Sequence, residues 1–148
     1  MKNLSINEAG KNIIKFYESL RLKTYLDTGK VLTIGYGHTG PDVKLGLTIS
    51  KEKANELFDS DIDKFQDGVN KLLSYSTNEN QFSAMVSLAY NIGLGNFKKS
   101  SVLRFHNQGQ FEKAANSFLL WNKDNGVVLA GLVKRRKSES LLYLSTDV

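Results

Sequence analysis

Three side chains near the start of the sequence carry the groups needed to hydrolyse an acetal. Glu18 and Asp27 lie nine positions apart, and Thr33 follows six positions later. A carboxylic acid can protonate a leaving oxygen. A second carboxylate can activate water or stabilise an oxocarbenium-like centre, and a hydroxyl can hold that water in place. Cleavage of a glycosidic bond uses all three. Glu18 is flanked by Phe16, Tyr17 and Leu20, and burial against such groups favours the protonated acid. The partial negative charge of a helix C-terminus acts in the same direction. Asp27 lies among polar turn residues, where it stays ionised. The competing reading is local: Glu18 pairs with Arg21, and Asp27 caps a turn.

These groups need elements to position them. Ser5 with Glu8 reads as a capping box, and Ile6, Ala9, Ile13, Phe16 and Leu20 recur at helical spacing. The pattern predicts a helix of about fifteen residues ending near Ser19, with Glu18 at its C-terminal end. Tyr25, Val31, Thr33, Ile34 and Tyr36 are strand formers around the turn Asp27-Thr28-Gly29-Lys30, which predicts a β-hairpin. Residues 45–48 read as a further short strand. Ser50 opens a charged helix running to about Leu73, with Gly68 as its weak point. Ser76 with Glu79 reads as a second capping box. The helix from Gln81 to Ile92 is the most apolar and is expected at the centre, ended by Gly93 and Gly95. Helices over Ser100 to Asn107 and Gln110 to Asn122 follow, then a turn at Asp124-Asn125-Gly126 and a last helix from about Leu129 to Leu144. The architecture implied is α+β: a small β lobe, about residues 20–50, set into a mostly helical body within one domain, 1–148.

The run Tyr17 to Asp27, followed by Leu32-Thr33-Ile34-Gly35-Tyr36-Gly37-His38-Thr39, resembles the phage-type lysozymes, or endolysins, of glycoside hydrolase family 24. The Glu, eight residues, Asp, five residues, Thr spacing matches that family's active-site signature. Ser83 to Gly93 resembles its central helix and Phe111 to Trp121 the next helical segment. Gly131-Leu132 with Arg135-Arg136 resembles its C-terminal pattern. Ser19 stands where many relatives have glycine. The resemblance implies a lysozyme-like fold with an active-site cleft between the β lobe and the helical body. It implies Glu18 as the acid, Asp27 as the second carboxylate and Thr33 as the water-positioning hydroxyl. The implied substrate is peptidoglycan, cut between N-acetylmuramic acid and N-acetylglucosamine with inversion, the carboxyls being roughly 6.5–9.5 Å apart. A lytic transglycosylase and a non-catalytic wall-binding module are the alternatives; the first needs neither Asp27 nor Thr33. No cofactor is implied. A monomer released by a holin is expected, made in the host cytoplasm and acting on the wall in the periplasm.

Other residues carry two readings each. Tyr25 and Tyr36 could stack on sugar rings or pack the sheet, and Asn91 could contact saccharide or cap its helix. His38 reads as structural, with Asp61 as its favoured partner. Trp121 reads as core, and Lys134-Arg135-Arg136-Lys137 as a solvated helical face.

Composition sets the outer bounds. The chain has 148 residues and a net charge of +5, with 41% apolar and 24% charged residues, an ordinary globular balance. It has no cysteine, which excludes disulfides and cysteine-based zinc sites. With only His38 and His106, a histidine-rich metal site is not expected either. The basic cluster has no aromatic platform, so nucleic acid is not an expected partner. The first residues have no apolar segment of signal-peptide type, and the longest apolar stretch, Gly126 to Val133, is too short to span a membrane, so no stable anchor is expected.

Overall fold

The computed structural model of the chain describes residues 3–146. Helix α1 covers Glu8–Glu18, shorter than its apolar spacing suggests. Its N-cap is Asn7, whose side chain accepts from the Gly10 amide at 3.0 Å. The Ser5 capping box does not form. That segment is drawn off instead, because the amides of Leu4 and Ile6 donate to Asn70 and Gln66 on the next long helix. The predicted end holds: Ser19 is the C-cap, with φ at 61°.

Strands β1 (Arg21–Leu26) and β2 (Leu32–Gly35) form the predicted antiparallel hairpin, with Tyr25 opposite Thr33 and Leu26 opposite Leu32. The further strand expected over 45–48 shrinks to one bridge, Lys23 to Thr48. Helix α2 (Lys51–Leu72) starts from a Ser50 cap as expected and passes through Gly68 unbroken. Glycine serves packing there: a Cβ at this position would lie 2.5 Å from the Leu94 side chain.

Helix α3 (Glu79–Ile92) forms the centre, and Phe82 through Ala89 are all buried. An apolar helix with no solvent face must be surrounded, and α1, α2 and the last helix pack around it. Its capping box is Asn78 with Gln81, not Ser76 with Glu79. Gly93 ends α3, but Gly95 falls inside a short helix α4 (Leu94–Lys99) that the sequence reading does not contain. Helices α5 (Ser101–Asn107) and α6 (Phe111–Phe118) follow, α6 stopping before Asn122. The Asn125-Gly126 turn joins a two-residue ribbon, β3 (Lys123–Asp124) and β4 (Val127–Val128). Both turn residues have positive φ, as such a tight connection requires. Helix α7 (Ala130–Leu144) closes the described chain.

His106 is a packing group. It is fully buried, 2.7 Å from Thr77 Oγ1 and 2.6 Å from Tyr143 Oη, and burial pushes its pKa down to about 4. No described helix is long and apolar enough to cross a membrane.

Candidate active site

Four elements converge on one cavity of about 270 Å³, whose lining includes Glu18, Tyr25, Asp27, Thr33 and Asn91. Glu18 arrives on the last residue of α1, Asp27 follows the end of β1, Thr33 sits on β2, and Asn91 lies in the last turn of α3. Two neighbouring cavities extend the groove. One, about 240 Å³, shares Glu18 and Asn91; the other, about 410 Å³, shares Asp27 and Asn91 and reaches Trp121 and the β3–β4 ribbon. Asn91 therefore lies where all three meet.

Glu18 is not buried against Phe16 as its sequence neighbours suggest. Phe16 is 76% exposed, and the Glu18 carboxylate accepts instead from Arg135 Nη1 at 2.7 Å. The local alternative also fails, since Arg21 stacks on the Tyr25 ring at 4.3 Å. Behind the second oxygen lies Gly37, with φ at +78°; a Cβ there would stand 2.6 Å from Glu18 Oε1. Only glycine combines that backbone with that approach.

Asp27 does cap its turn. Its Oδ1 accepts from the amides of Gly29 and Val31 at 2.9 and 2.8 Å. Among the described residues, Oδ2 takes no hydrogen bond, and the side chain still lines the cavity. Thr33 is 3% exposed, and its hydroxyl donates to the Val31 carbonyl at 2.8 Å. With its proton committed, the Thr33 oxygen faces the cavity as an acceptor.

The basic cluster is split. Lys134 and Lys137 are exposed, whereas Arg135 and Arg136 are 2% and 0% exposed. Both guanidiniums converge on the buried Glu139. Arg135 Nε donates to one carboxylate oxygen at 3.1 Å and Arg136 Nη1 to the other at 2.5 Å, while Ser87 Oγ donates at 2.5 Å. Arg135 also donates to the Ser87 carbonyl, and Arg136 to the Trp121 carbonyl and Asn91 Oδ1. Burial opposes the charge on Arg135, but Glu139 and Glu18 outweigh it, so its pKa is raised. The network ties Glu18 on α1 to α3 and α7.

The remaining predicted residues separate. Tyr25 lines the cavity. Tyr36 is not among the residues lining it; its ring packs edge-on against Phe58 at 5.5 Å, with Lys15 above it. Trp121 packs against the core and also lines the 410 Å³ cavity. His38 Nδ1 meets Asp61 Oδ2 at 2.7 Å, and its other nitrogen meets Asp42 at 2.8 Å. Burial works against the His38 imidazolium, yet the bonds to Asp61 and Asp42 prevail and its pKa is raised. The resulting stability is fully present below the unfolded value of about 6.5 and is lost as pH rises through the raised folded value. Asp61→Asn is expected to move the His38 titration down in NMR and to narrow its stability deficit as pH rises. An unchanged titration would refute the coupling.

The sequence reading assigns no site role to Glu139, Tyr90 or Asp42, and it takes Arg135 only as part of a C-terminal pattern and a solvated face. A signal for Arg135 and Glu139 exists: Leu132, Arg135, Arg136, Glu139 and Tyr143 fall on one face of α7, so charges occupy core positions.

Comparison with known proteins agrees with this geometry. The family model described as phage lysozyme matches residues 15–139. An endolysin of Bacillus phage B103 is 51% identical over 146 residues, which cover 97% of this chain. The chain spans only 56% of that relative's length. The solved endolysin of Escherichia coli phage FAHEc1 is 35% identical, with a TM-score of 0.88 over 99% of this chain and 97% of its own. The muramidase domain of SpmX from Asticaccaulis excentricus is 36% identical, with a TM-score of 0.88 over 96% and 99%. The likeness runs through both the hairpin that carries Asp27 and Thr33 and the helices that carry Glu18 and Arg135, and the chain belongs to the phage lysozyme family.

Proposed function

We propose that the protein is a glycoside hydrolase that cuts peptidoglycan between N-acetylmuramic acid and N-acetylglucosamine, by single displacement with inversion. The observation that carries this reading is the convergence of Glu18, Asp27 and Thr33 on one cavity from three elements. Glu18 protonates the glycosidic oxygen, and Arg135 stabilises the carboxylate that this transfer leaves. A water donates one proton to the Thr33 oxygen and the other to Asp27, which turns its lone pair toward the anomeric carbon. Asp27 accepts the proton as the water attacks, and its charge stabilises the oxocarbenium-like centre. The family's endolysin members support a lytic role, and the likeness to the SpmX muramidase domain supports the bond named. On this reading the protein is made in the host cytoplasm, is released by a holin, and works as a monomer on the periplasmic wall.

The test is digestion of purified murein, with mass spectrometry of the new ends and NMR of the first-formed anomer. Muramic-acid reducing ends in inverted configuration are expected. Anhydro ends would make the protein a transglycosylase, retained configuration would reject single displacement, and binding without cleavage would leave a wall-binding module. Thr33→Ala is expected to lower kcat by roughly 10²-fold while leaving the product unchanged. Full activity in that variant would remove Thr33 from the reaction.

A further inference from the structure

The geometry points to Tyr90 as a positioning residue that holds the β lobe in register with the catalytic acid. This inference rests on the proposed hydrolase reading. Tyr90 lies in the last turn of α3, and its hydroxyl donates to the Tyr36 carbonyl at 2.5 Å, across 54 positions of sequence. Tyr36 directly precedes Gly37, the residue that backs Glu18 Oε1. Tyr90 also lines the cavity that holds Glu18, Asp27 and Thr33.

Other contacts fix the phenol and its target. The Tyr90 ring packs 5.1 Å from Phe65 and 5.9 Å from Phe58, both on α2, so the hydroxyl has little freedom to swing. The Phe58 ring in turn lies against Tyr36. Two residues after Tyr36, His38 is held to Asp61 of α2. The segment leaving β2 is thus pinned at residue 36 by α3 and at residue 38 by α2, and residue 37 between them touches the acid. The same hairpin carries Asp27 and Thr33, so one hydroxyl helps set their distance from Glu18. Reaction geometry is sensitive to such spacing, because small displacements of reacting groups cost large factors in rate. The Tyr90 hydroxyl is held out of the chemistry itself by its bond to the backbone.

Tyr90→Phe isolates the tether, since it keeps the ring and removes only the hydroxyl. One neutral hydrogen bond has the strength to shift a two-state population by about tenfold, so kcat on murein fragments is expected to fall by about that factor with KM within about twofold. The second measurement is a spin-label distance distribution between the lobes. Lys44→Cys in the β lobe and Glu112→Cys on α6 are exposed label sites, and the chain has no cysteine of its own. The distribution is expected to broaden in Tyr90→Phe. An unchanged distribution overturns the tether, whatever happens to the rate. A broadened distribution with unchanged kcat shows that the register does not govern the reaction, and a rise in KM at constant kcat makes Tyr90 a binding group; either overturns the inference. If the unmodified protein fails to cleave murein, the hydrolase reading fails, and the distance arm still decides whether Tyr90 holds the lobe.

Discussion

Glu18→Gln is expected to lower murein cleavage by roughly 10³-fold or more while the fold persists. The amide has the volume of the acid, and Gly37 leaves the same space behind it. A glutamine oxygen can still accept from Arg135 Nη1, the bond that holds Glu18 at 2.7 Å. Arg135 also keeps Glu139 as its charged partner, so the buried guanidinium is not stranded. The stability cost should therefore be small, about 1 kcal/mol, the difference between a charge-assisted and a neutral hydrogen bond. What disappears is the transferable proton, and no other described carboxyl stands in the cavity to replace it except Asp27, on the opposite lobe. Release of reducing ends and a thermal melt measure the two effects separately. Activity within tenfold of the unmodified protein would end the assignment of Glu18 as the acid.

The largest stability effect is expected at Glu139. Glu139→Gln removes the one charge that both Arg135 and Arg136 approach, in a site with 0% exposure. Breaking a buried ion pair on one side leaves an uncompensated charge and costs roughly 3–5 kcal/mol. Domains of this size hold about 5–15 kcal/mol in all, so the variant should melt about 10 °C lower. Pairing it with Arg136→Met tests the cause. The double variant lacks both the carboxylate and one of its two cations, so its loss should be smaller than the sum of the single losses. Strict additivity, or a melting point within about 2 °C of the unmodified protein, would show that the network carries little of the stability.

Local signals and long-range contacts divide what was readable beforehand. The hairpin, the Ser50 cap and the central helix rest on spacings within a few residues and appear where expected, and Glu18, Asp27 and Thr33 line one cavity. Two helix starts were misplaced because serine and asparagine are equally good caps. At the first, the choice of Asn7 over Ser5 is settled by bonds from residues 4 and 6 to a helix some sixty positions away. Arg135 and Arg136 looked like a solvated face because charges spaced three and four apart read the same in water or in a core. Only the approach of Ser87 and Glu18 to Arg135, and of Trp121 and Asn91 to Arg136, makes them internal. Of the two readings of Tyr36, packing is the one its ring follows: it lies against Phe58, while its carbonyl accepts from Tyr90.

The bond between Glu18 and Arg135 joins residues 117 positions apart. A ribosome delivers the acid, the second carboxylate and the hydroxyl early, and the guanidinium only when α7 emerges. Until then the nascent chain carries Glu18, Asp27 and Thr33 on α1 and the hairpin without the helix that holds Glu18 in place. Contacts this distant in sequence form late, after the loop between them has closed. The order of synthesis thus keeps the site unassembled until α7 has emerged.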